Sequence, residues 1–419
     1  MLSVEEALER ILGFFGVLEP EQQPILDSVD QVLAEDIVGR FDIPPLDNSS
    51  MDGYAVQAAD VKSASATTPV VLRVIGTVAA GQMPSTPVVA GAAVRIMTGA
   101  PVPQGADAVV PFEETDEAER KLHGGPPDSI GVKFAALAGA NVRKAGRDVT
   151  RGQLVLAKGA VVRAAEVGVL ASLGYTSVSV IRRPSVAILA TGDELQEPDE
   201  APLPGRIYNV NSYSVGAAVK QAGGIPKLLG TARDNLDSLN AKIWEGLGSD
   251  ILITSAGVSK GDYDIVKDVL AQHGRMEFWS VRMRPAKPLA FGVLKGPGGR
   301  TVPLLGLPGN PVSSMVAFEQ FGRPAIHKMM GRTTTRRPTV QAVLDGPIYN
   351  GDGRRVYARA VITKRDGVYY ARPTGDQSSN LLTSMAKANG LAICPSDVPM
   401  KAAGETVTVQ MIDWPETVF

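Results

Sequence analysis

Between residues 184 and 330, short apolar runs at 185–190, 226–230, 250–254, 277–281 and 302–305 alternate with helical patterns near 212–222, 236–247, 263–272 and 311–329. Strands separated by helix-length crossovers pair in parallel, and the crossovers cover both faces of the sheet. The region therefore reads as a doubly wound, mostly parallel α/β domain. In such a sheet ligands bind beyond the carboxyl ends of the strands, where loop amides and helix N-termini converge.

The loop after the third of these strands, Thr254-Ser255-Ala256-Gly257-Val258-Ser259-Lys260-Gly261-Asp262-Tyr263-Asp264, lies at such a place. Its hydroxyls and amides suit a phosphate. Asp262 and Asp264 do not, unless a divalent cation bridges them to it. A phosphorylated ligand handled with Mg²⁺ is the expectation. Leu189-Ala190-Thr191-Gly192-Asp193-Glu194-Leu195 closes the first strand with a hydroxyl and two carboxylates on the same sheet edge. Helix capping by Thr191 or Asp193 is the bland explanation, weakened by the second acidic loop. Arg284-Pro285-Ala286-Lys287-Pro288 follows the strand at 277–281 and offers a fork and a point charge for oxyanions, although a solvated basic turn would look the same. Gly306-Leu307-Pro308-Gly309-Asn310-Pro311 opens the last long helix in a form that suits an anion or simply a well-made helix start.

At 419 residues the chain has room for about two to four domains. Around the α/β region the pattern changes. Ser3 and Glu6 form a capping box for an amphipathic helix over 3–15, and a second helix is expected over 24–34. From 41 to 140 short β-type runs are broken by Gly and Pro, and 150–182 returns to mixed helix and strand. The N-terminal part is thus an α+β region with a β-rich lobe. After a linker at 332–338, runs at 338–344, 355–362, 367–371, 391–394 and 406–411 fit a C-terminal β-barrel or sandwich.

Composition narrows the chemistry. Lys and Arg number 42 against 44 Asp and Glu, a balance that argues against nucleic acid as a partner. The one cysteine, Cys394, sits in an apolar run and reads as a buried structural thiol; three scattered histidines offer neither zinc spacing nor a triad. The acidic start at Glu5 and Glu6, with no apolar run near about 18 residues, points to a soluble, cytoplasmic protein without a membrane partner. Neither a dinucleotide fingerprint nor a P-loop occurs. In the first half, Pro44 to Ala55, Ile96 to Pro101 and Asn141 to Asp148 are turn-rich polar segments, each weak alone.

Together these segments resemble one family, the molybdopterin molybdenumtransferases, the insertases of molybdenum-cofactor biosynthesis. The resemblance is carried by Asp47-Asn48-Ser49-Ser50-Met51-Asp52-Gly53-Tyr54-Ala55, Thr98 to Pro101 with Gly105-Ala106-Asp107, Asn141-Val142-Arg143, Thr191 to Leu195, the 254–264 loop, Arg284 to Pro288 and Leu307 to Pro311. It runs in order from about residue 3 to 411.

The resemblance implies an elongated dimerisation region at 1–40 and 141–182, an inserted lobe at 41–140, an α/β molybdopterin-binding domain at 183–331 and a β-barrel at 332–419. It implies a homodimer whose site lies between the α/β domain of one subunit and the N-terminal lobe of the other. The implied reaction takes molybdate and adenylylated molybdopterin, hydrolyses the adenylyl link with Mg²⁺ and leaves molybdenum on the dithiolene as AMP departs. Because the substrate brings its own sulfur ligands, no catalytic Cys or His is needed.

Carried over residue by residue, Glu194, Asp234 and Asp264 are the Mg²⁺ and water-orienting carboxylates, with Asp262 in support. Thr191, Asp193, Ser255, Gly257 and Ser259 would bind the pterin phosphate, and Arg284, Lys287, Pro288 and Asn310 would meet molybdate or the phosphoanhydride. Asp52, Thr98, Arg143 and Asp148 would come from the partner lobe, and Arg359, Ser378 and Ser379 of the barrel would capture molybdate. The chain departs from the family at Ala256 and Ala286, where glycine is usual, at Arg284 for Lys, at Arg147 for an acid and at Asn380 for Arg. Molybdopterin adenylyltransferase, which shares the α/β domain, and a non-catalytic scaffold are the alternatives. Transient contact with the adenylyltransferase and with molybdoenzyme maturation factors is a further expected partnership.

Overall fold

The computed structural model describes residues 1–122, 128–233, 235–255 and 274–415, and the chain divides into two compact units. One comprises Met1–Ala34, Gly159–Val167 and Ser177–Phe419; the other comprises Glu35–Lys158 and Gly168–Thr176.

Helix α1 (Val4–Leu12) begins with the expected box: Glu6 N–H donates to Ser3 Oγ at 3.1 Å, and Ser3 N–H donates to Glu6 Oε2 at 2.7 Å. Two otherwise unpaired amides are thereby satisfied. The helix expected over 24–34 does not form. Pro20–Pro24 is instead a strand, antiparallel to Ser177–Ile181, and 25–30 are turns. Two prolines bracket the strand, and the Ser28 hydroxyl bonds back to Ile25 O at 2.7 Å. Such side-chain bonds compete with helix, and a distant strand supplies the pairing.

The second unit is built on a five-stranded sheet of β1 (Gly53–Val56), β2 (Val70–Val78), β3 (Ala92–Ile96), β4 (Ala108–Pro111) and β5 (Ser129–Val132), in spatial order β4-β1-β3-β2-β5. Tyr54, Leu72, Val110 and Ile130 are buried on one face and Ala55, Val94, Ile96 and Val109 on the other.

In the first unit the strands β6 (Ser185–Thr191), β7 (Ile225–Ala232), β8 (Ile251–Ser255), β9 (Gly274–Ser280), β10 (Pro288–Lys295) and β11 (Thr301–Leu307) form one sheet, ordered β7-β6-β8-β11-β10-β9. The first four in that order are mutually parallel; β10 is antiparallel to both its neighbours. The β10 strand was not among the sequence expectations, yet its partner β9 runs in the parallel direction, so the Arg284 turn still falls on the carboxyl edge.

Side-chain parity decides the faces. Val186, Ile188, Ile251 and Ile253 pack with Val215 and Val219 of α2 (Val210–Gln221), whereas Ala187, Leu189 and Leu252 pack with Leu239 and Ile243 of α3 (Leu236–Gly246). The chain leaves β6 toward β7 and returns to β8 on the other side, so the switch point of the winding lies between β6 and β8.

The final helical stretch is α4 (Pro311–Ala317) and α5 (Arg323–Met329), joined by a π-turn at Phe318–Gly322. Pro324 cannot donate to the preceding turn, and the bulge accommodates that gap. Beyond the linker, β12 (Thr339–Leu344), β13 (Arg355–Arg365), β14 (Val368–Pro373), β15 (Gly390–Cys394) and β16 (Thr406–Met411) close as a ring β13-β14-β12-β16-β15-β13. Cys394 is buried inside this barrel, and burial pushes its thiol pKa up, as befits a structural residue. No helix among the described residues is long and apolar enough to cross a membrane.

His327 on α5 is buried, with Nδ1 3.2 Å from Thr334 O, which ties the helix to the linker. Burial, aided by Arg323, pushes its pKa from 6.5 down to about 4. The unfolded chain therefore binds the extra proton first as pH falls, and stability present above pH 6.5 drains away towards pH 4. Urea unfolding should lose on the order of 2 kcal/mol across that window, and His327→Gln should flatten the slope. An unchanged slope in the variant would contradict this assignment.

Candidate functional site

Two strand ends define the crevice at the switch point. Thr191 closes β6 and Ser255 closes β8, both buried. The chain then turns through Gly192, whose φ of 142° favours glycine. A Cβ there would lie 2.5 Å from Glu194 Oε2, because the Glu194 side chain folds back over the turn. Glu194 and Asp193 are exposed. The loop is pinned by Glu197, whose Oε1 accepts from Thr231 Oγ at 2.8 Å and Asn209 Nδ2 at 3.1 Å. Asn209 in turn caps α2 by accepting from Ser212 N–H at 3.2 Å.

Four buried oxygens at this edge have no hydrogen-bond partner among the described residues: Ser255 Oγ, Asn211 Oδ1, Ser212 Oγ and Ser314 Oγ. Ser255 shares the parity of Ile251 and Ile253, so it projects to the face packed by α2, which carries Asn211 and Ser212. Ser314 belongs to α4, packed on that same face. Asn211 Nδ2 also donates to Gly309 O at 2.7 Å, fastening the Gly306 to Pro311 turn to α2. Unpaired buried hydroxyls cost roughly 1–3 kcal/mol each, and a polar ligand or water relieves that cost. Asn211, Ser212 and Ser314 were missed from sequence; the polar pair at the start of an edge helix was the available signal. Asp234, Ala256, Gly257, Ser259, Asp262 and Asp264 lie outside the described residues. Of the expected Mg²⁺ carboxylates only Glu194 is therefore placed, and no cluster of metal-ligating side chains occurs among the described residues.

Within the same unit a cleft of about 600 Å³ runs from the Arg284 turn and Pro308 to Asn310 across to Asp376 to Ser379 of the barrel. It exists because the two-residue strand Met283–Arg284 pairs in parallel with Arg355 and Val356 of β13. Arg284 donates to Tyr349 O and lies 3.8 Å from Asp352. Arg354, a cleft residue the sequence reading did not select, donates through Nε to Asp352 at 3.0 Å. Lys287 is exposed on the cleft and has no ion-pair partner among the described residues. The turn needs a left-handed residue: Ala286 has φ 73°, at the position where the family resemblance leads to an expectation of glycine. An L-residue there carries strain of about 1–2 kcal/mol.

The barrel side differs from expectation in one respect. Arg359 does not line the cleft: at 1% exposure it is buried beneath it, donating from Nε to Ser384 Oγ at 3.1 Å and from Nη2 to Ser378 O at 3.0 Å. Burial pushes its pKa down to about 10, while the nearby Asp376 holds it up. Ser378 and Ser379 do line the cleft, and the Ser379 carbonyl accepts from Val312 N–H at 3.1 Å. Asn380 is exposed, beside them in sequence.

In the other unit, three segments isolated in sequence meet. Asn48 and Ser49 pair with Arg143 and Val142, and Ser49 N–H donates to Ala100 O at 3.0 Å. Asp52 Oδ1 accepts from Thr98 N–H at 2.6 Å and Thr98 Oγ at 2.9 Å, bonds that hold the Asp52 carboxyl below its ordinary pKa. Lys144 Nζ reaches Asp47 at 2.7 Å. Asp148 N–H donates to Ile43 O at 2.9 Å, which leaves its carboxylate exposed next to Arg147. The segments that carry Asp52, Thr98 and Arg143 are thus brought together through Ser49 and its neighbours.

The sequence profile of the MoeA N-terminal region (domain I and II) matches residues 2–174, that of a probable molybdopterin binding domain residues 187–328, and that of the MoeA C-terminal region (domain IV) residues 341–412. The chain is 36% identical over 417 residues to molybdopterin molybdenumtransferase 2 of Mycobacterium tuberculosis H37Rv, covering 98% of this chain and 99% of that one. Against the molybdopterin molybdenumtransferase of Bacillus subtilis strain 168 it is 35% identical over 426 residues, covering 100% and 97%. A solved molybdopterin biosynthesis MoeA protein from Pyrococcus horikoshii superposes with a TM-score of 0.82 at 31% identity, covering 99% of this chain and 100% of that one.

The Gly192 turn supplies a direct check on the crevice. Gly192→Ala should lower stability by about 1–3 kcal/mol in urea unfolding, because a residue with a Cβ rarely adopts the φ of 142° that the turn requires. A midpoint equal to wild type would show that the turn relaxes freely.

Proposed function

Because the chain belongs to the MoeA family of molybdopterin molybdenumtransferases, we infer that it inserts molybdenum into molybdopterin in molybdenum-cofactor biosynthesis. The observation that carries the reading is the placement, along one edge of one unit, of a crevice with unpaired buried hydroxyls beside a cleft bearing Arg284, Lys287 and Arg354. The first suits the phosphate end of a pterin ligand. The second suits a tetrahedral oxyanion.

In this reading adenylylated molybdopterin enters the crevice with its phosphate on Thr191, Ser255 and the loop that follows. Molybdate enters the cleft against Lys287 and Arg284, with the Ser378 and Ser379 loop opposite. Lys287, an exposed ammonium without a carboxylate partner among the described residues, is free to move with the charge that develops as the adenylyl link breaks. Arg284, held by Tyr349 O, is a fixed point that orients the anion. Glu194 offers an exposed carboxylate of the kind Mg²⁺ takes, with Asp234 and Asp264 as its proposed companions; the ion would supply charge neutralisation at the phosphoanhydride. The segments that carry Asp52, Thr98 and Arg143 are assigned to the site as the partner's contribution in a homodimer. An adenylyltransferase reading leaves the N-terminal and barrel matches without a role.

Purified protein incubated with adenylylated molybdopterin, Mg²⁺ and molybdate should release AMP in a molybdate-dependent manner. Lys287→Ala should reduce that rate by roughly a hundredfold to a thousandfold, the scale of losing one charge-stabilising contact. AMP release indifferent to molybdate would contradict the insertase reading, and a fully active Lys287→Ala would remove only the role given to that lysine.

A further inference from the structure

Asp376 occupies the cleft in an unexpected way. Its Oδ1 accepts from Ser378 Oγ at 2.6 Å and from Ser378 N–H at 2.8 Å, so both donors that the serine could offer an incoming oxyanion are already taken. Directly linked to the same loop is the Arg359 guanidinium, which is buried, bonds Ser378 O, and has no ion pair within 4.0 Å among the described residues. Asp376 is the carboxylate whose field acts on it. Arg359 in return helps hold Asp376 below its ordinary pKa, after the Ser378 hydroxyl and amide. The serine amide and hydroxyl thus hold an exposed side chain that is itself an anion, and the buried Arg359 cation supports the same loop from beneath through Ser378 O.

We propose that Asp376 is a built-in competitor for the oxyanion: it fills the barrel half of the cleft as a stand-in anion, and the substrate oxyanion must replace it on Ser378. The proposal rests on the assignment of this cleft to molybdate. A carboxylate two residues before the amide that it accepts from is also an ordinary Asx-turn, a purely local device. Asparagine serves an Asx-turn equally well, because its carbonyl oxygen accepts the same two bonds. Only the charge separates the two roles. A competitor sets the affinity for oxyanions through repulsion and through prior occupancy of the donors; a turn former does not. The placement suits competition: Asp376 is exposed on the cleft, so an arriving oxyanion can reach the Ser378 donors that the carboxylate holds.

Asp376→Asn decides between them. With molybdate as the probe at low ionic strength, the variant should bind roughly threefold to thirtyfold more tightly than wild type, the range expected for removing one partly screened charge near a dianion. The KM for molybdate should fall in proportion, with kcat unchanged or lower. Molybdate should also raise the melting temperature of the variant more than that of wild type, because Arg359 has lost its counter-charge. Adding Ser378→Ala to the variant should remove the gain. Equal affinity in Asp376→Asn and wild type, with both binding molybdate, would overturn the competitor role and leave a turn former. Weaker binding in the variant would overturn it as well. Failure of both proteins to bind molybdate would overturn the cleft assignment and this inference together.

Discussion

The pairing of Met283 and Arg284 with Arg355 and Val356 is the interaction on which the site depends. It is two residues long, and it attaches the carboxyl edge of the α/β sheet to the longest strand of the barrel. Arg355 N–H adds a bond to Arg282 O at 3.1 Å, and Arg354 Nη1 adds one to Met283 O at 3.3 Å. Without that attachment the Arg284 turn would be a solvated basic loop on one domain, and the Ser378 loop a solvated serine turn on another. With it they become opposite walls of one cleft. Strain at Ala286 is tolerable for the same reason: Val281 N–H to Lys287 O at 2.9 Å closes the turn, and the flanking strands hold both ends.

A second constraint concerns polar satisfaction. Most buried polar groups are paired, so a local group of unpaired ones marks a place built for something else. Ser255, Asn211, Ser212 and Ser314 come from three elements, yet they gather on one face at the switch point, where the winding of the sheet leaves the backbone uncovered. At the barrel the opposite solution is adopted. There the donors of Ser378 are satisfied by Asp376, and the buried guanidinium of Arg359 is satisfied by Ser384 Oγ and Ser378 O.

Much of this was readable from residues. The alternation of Val186 to Leu189, Ile251 to Ile253 and Leu304 to Leu305 with helical segments fixed a mostly parallel sheet, and the sheet then put Thr191, Ser255 and Arg284 on one edge. Local signals failed where partners are remote. The stretch after Pro24 has helical periodicity, but Ser177 to Ile181 claims the preceding strand from more than a hundred residues away. The β10 strand hides between a basic turn and a Gly-rich turn, and its period is blurred because both faces are covered. Asp52 with Thr98 and Asp47 with Lys144 are contacts across 46 and 97 residues, beyond any local pattern. Arg359 was legible as a cation, but not as a buried one, since burial follows from barrel closure.

We propose that the oxyanion substrate lies between the Arg284 turn and the Ser378 loop. Tungstate, isostructural with molybdate and a strong anomalous scatterer, can be diffused into crystals of the full-length protein. The anomalous difference map should place its strongest peak in that cleft, within bonding distance of Lys287 or Arg284 on one wall or Ser378 on the other. A strongest peak elsewhere, with the cleft empty at saturating tungstate, would contradict it.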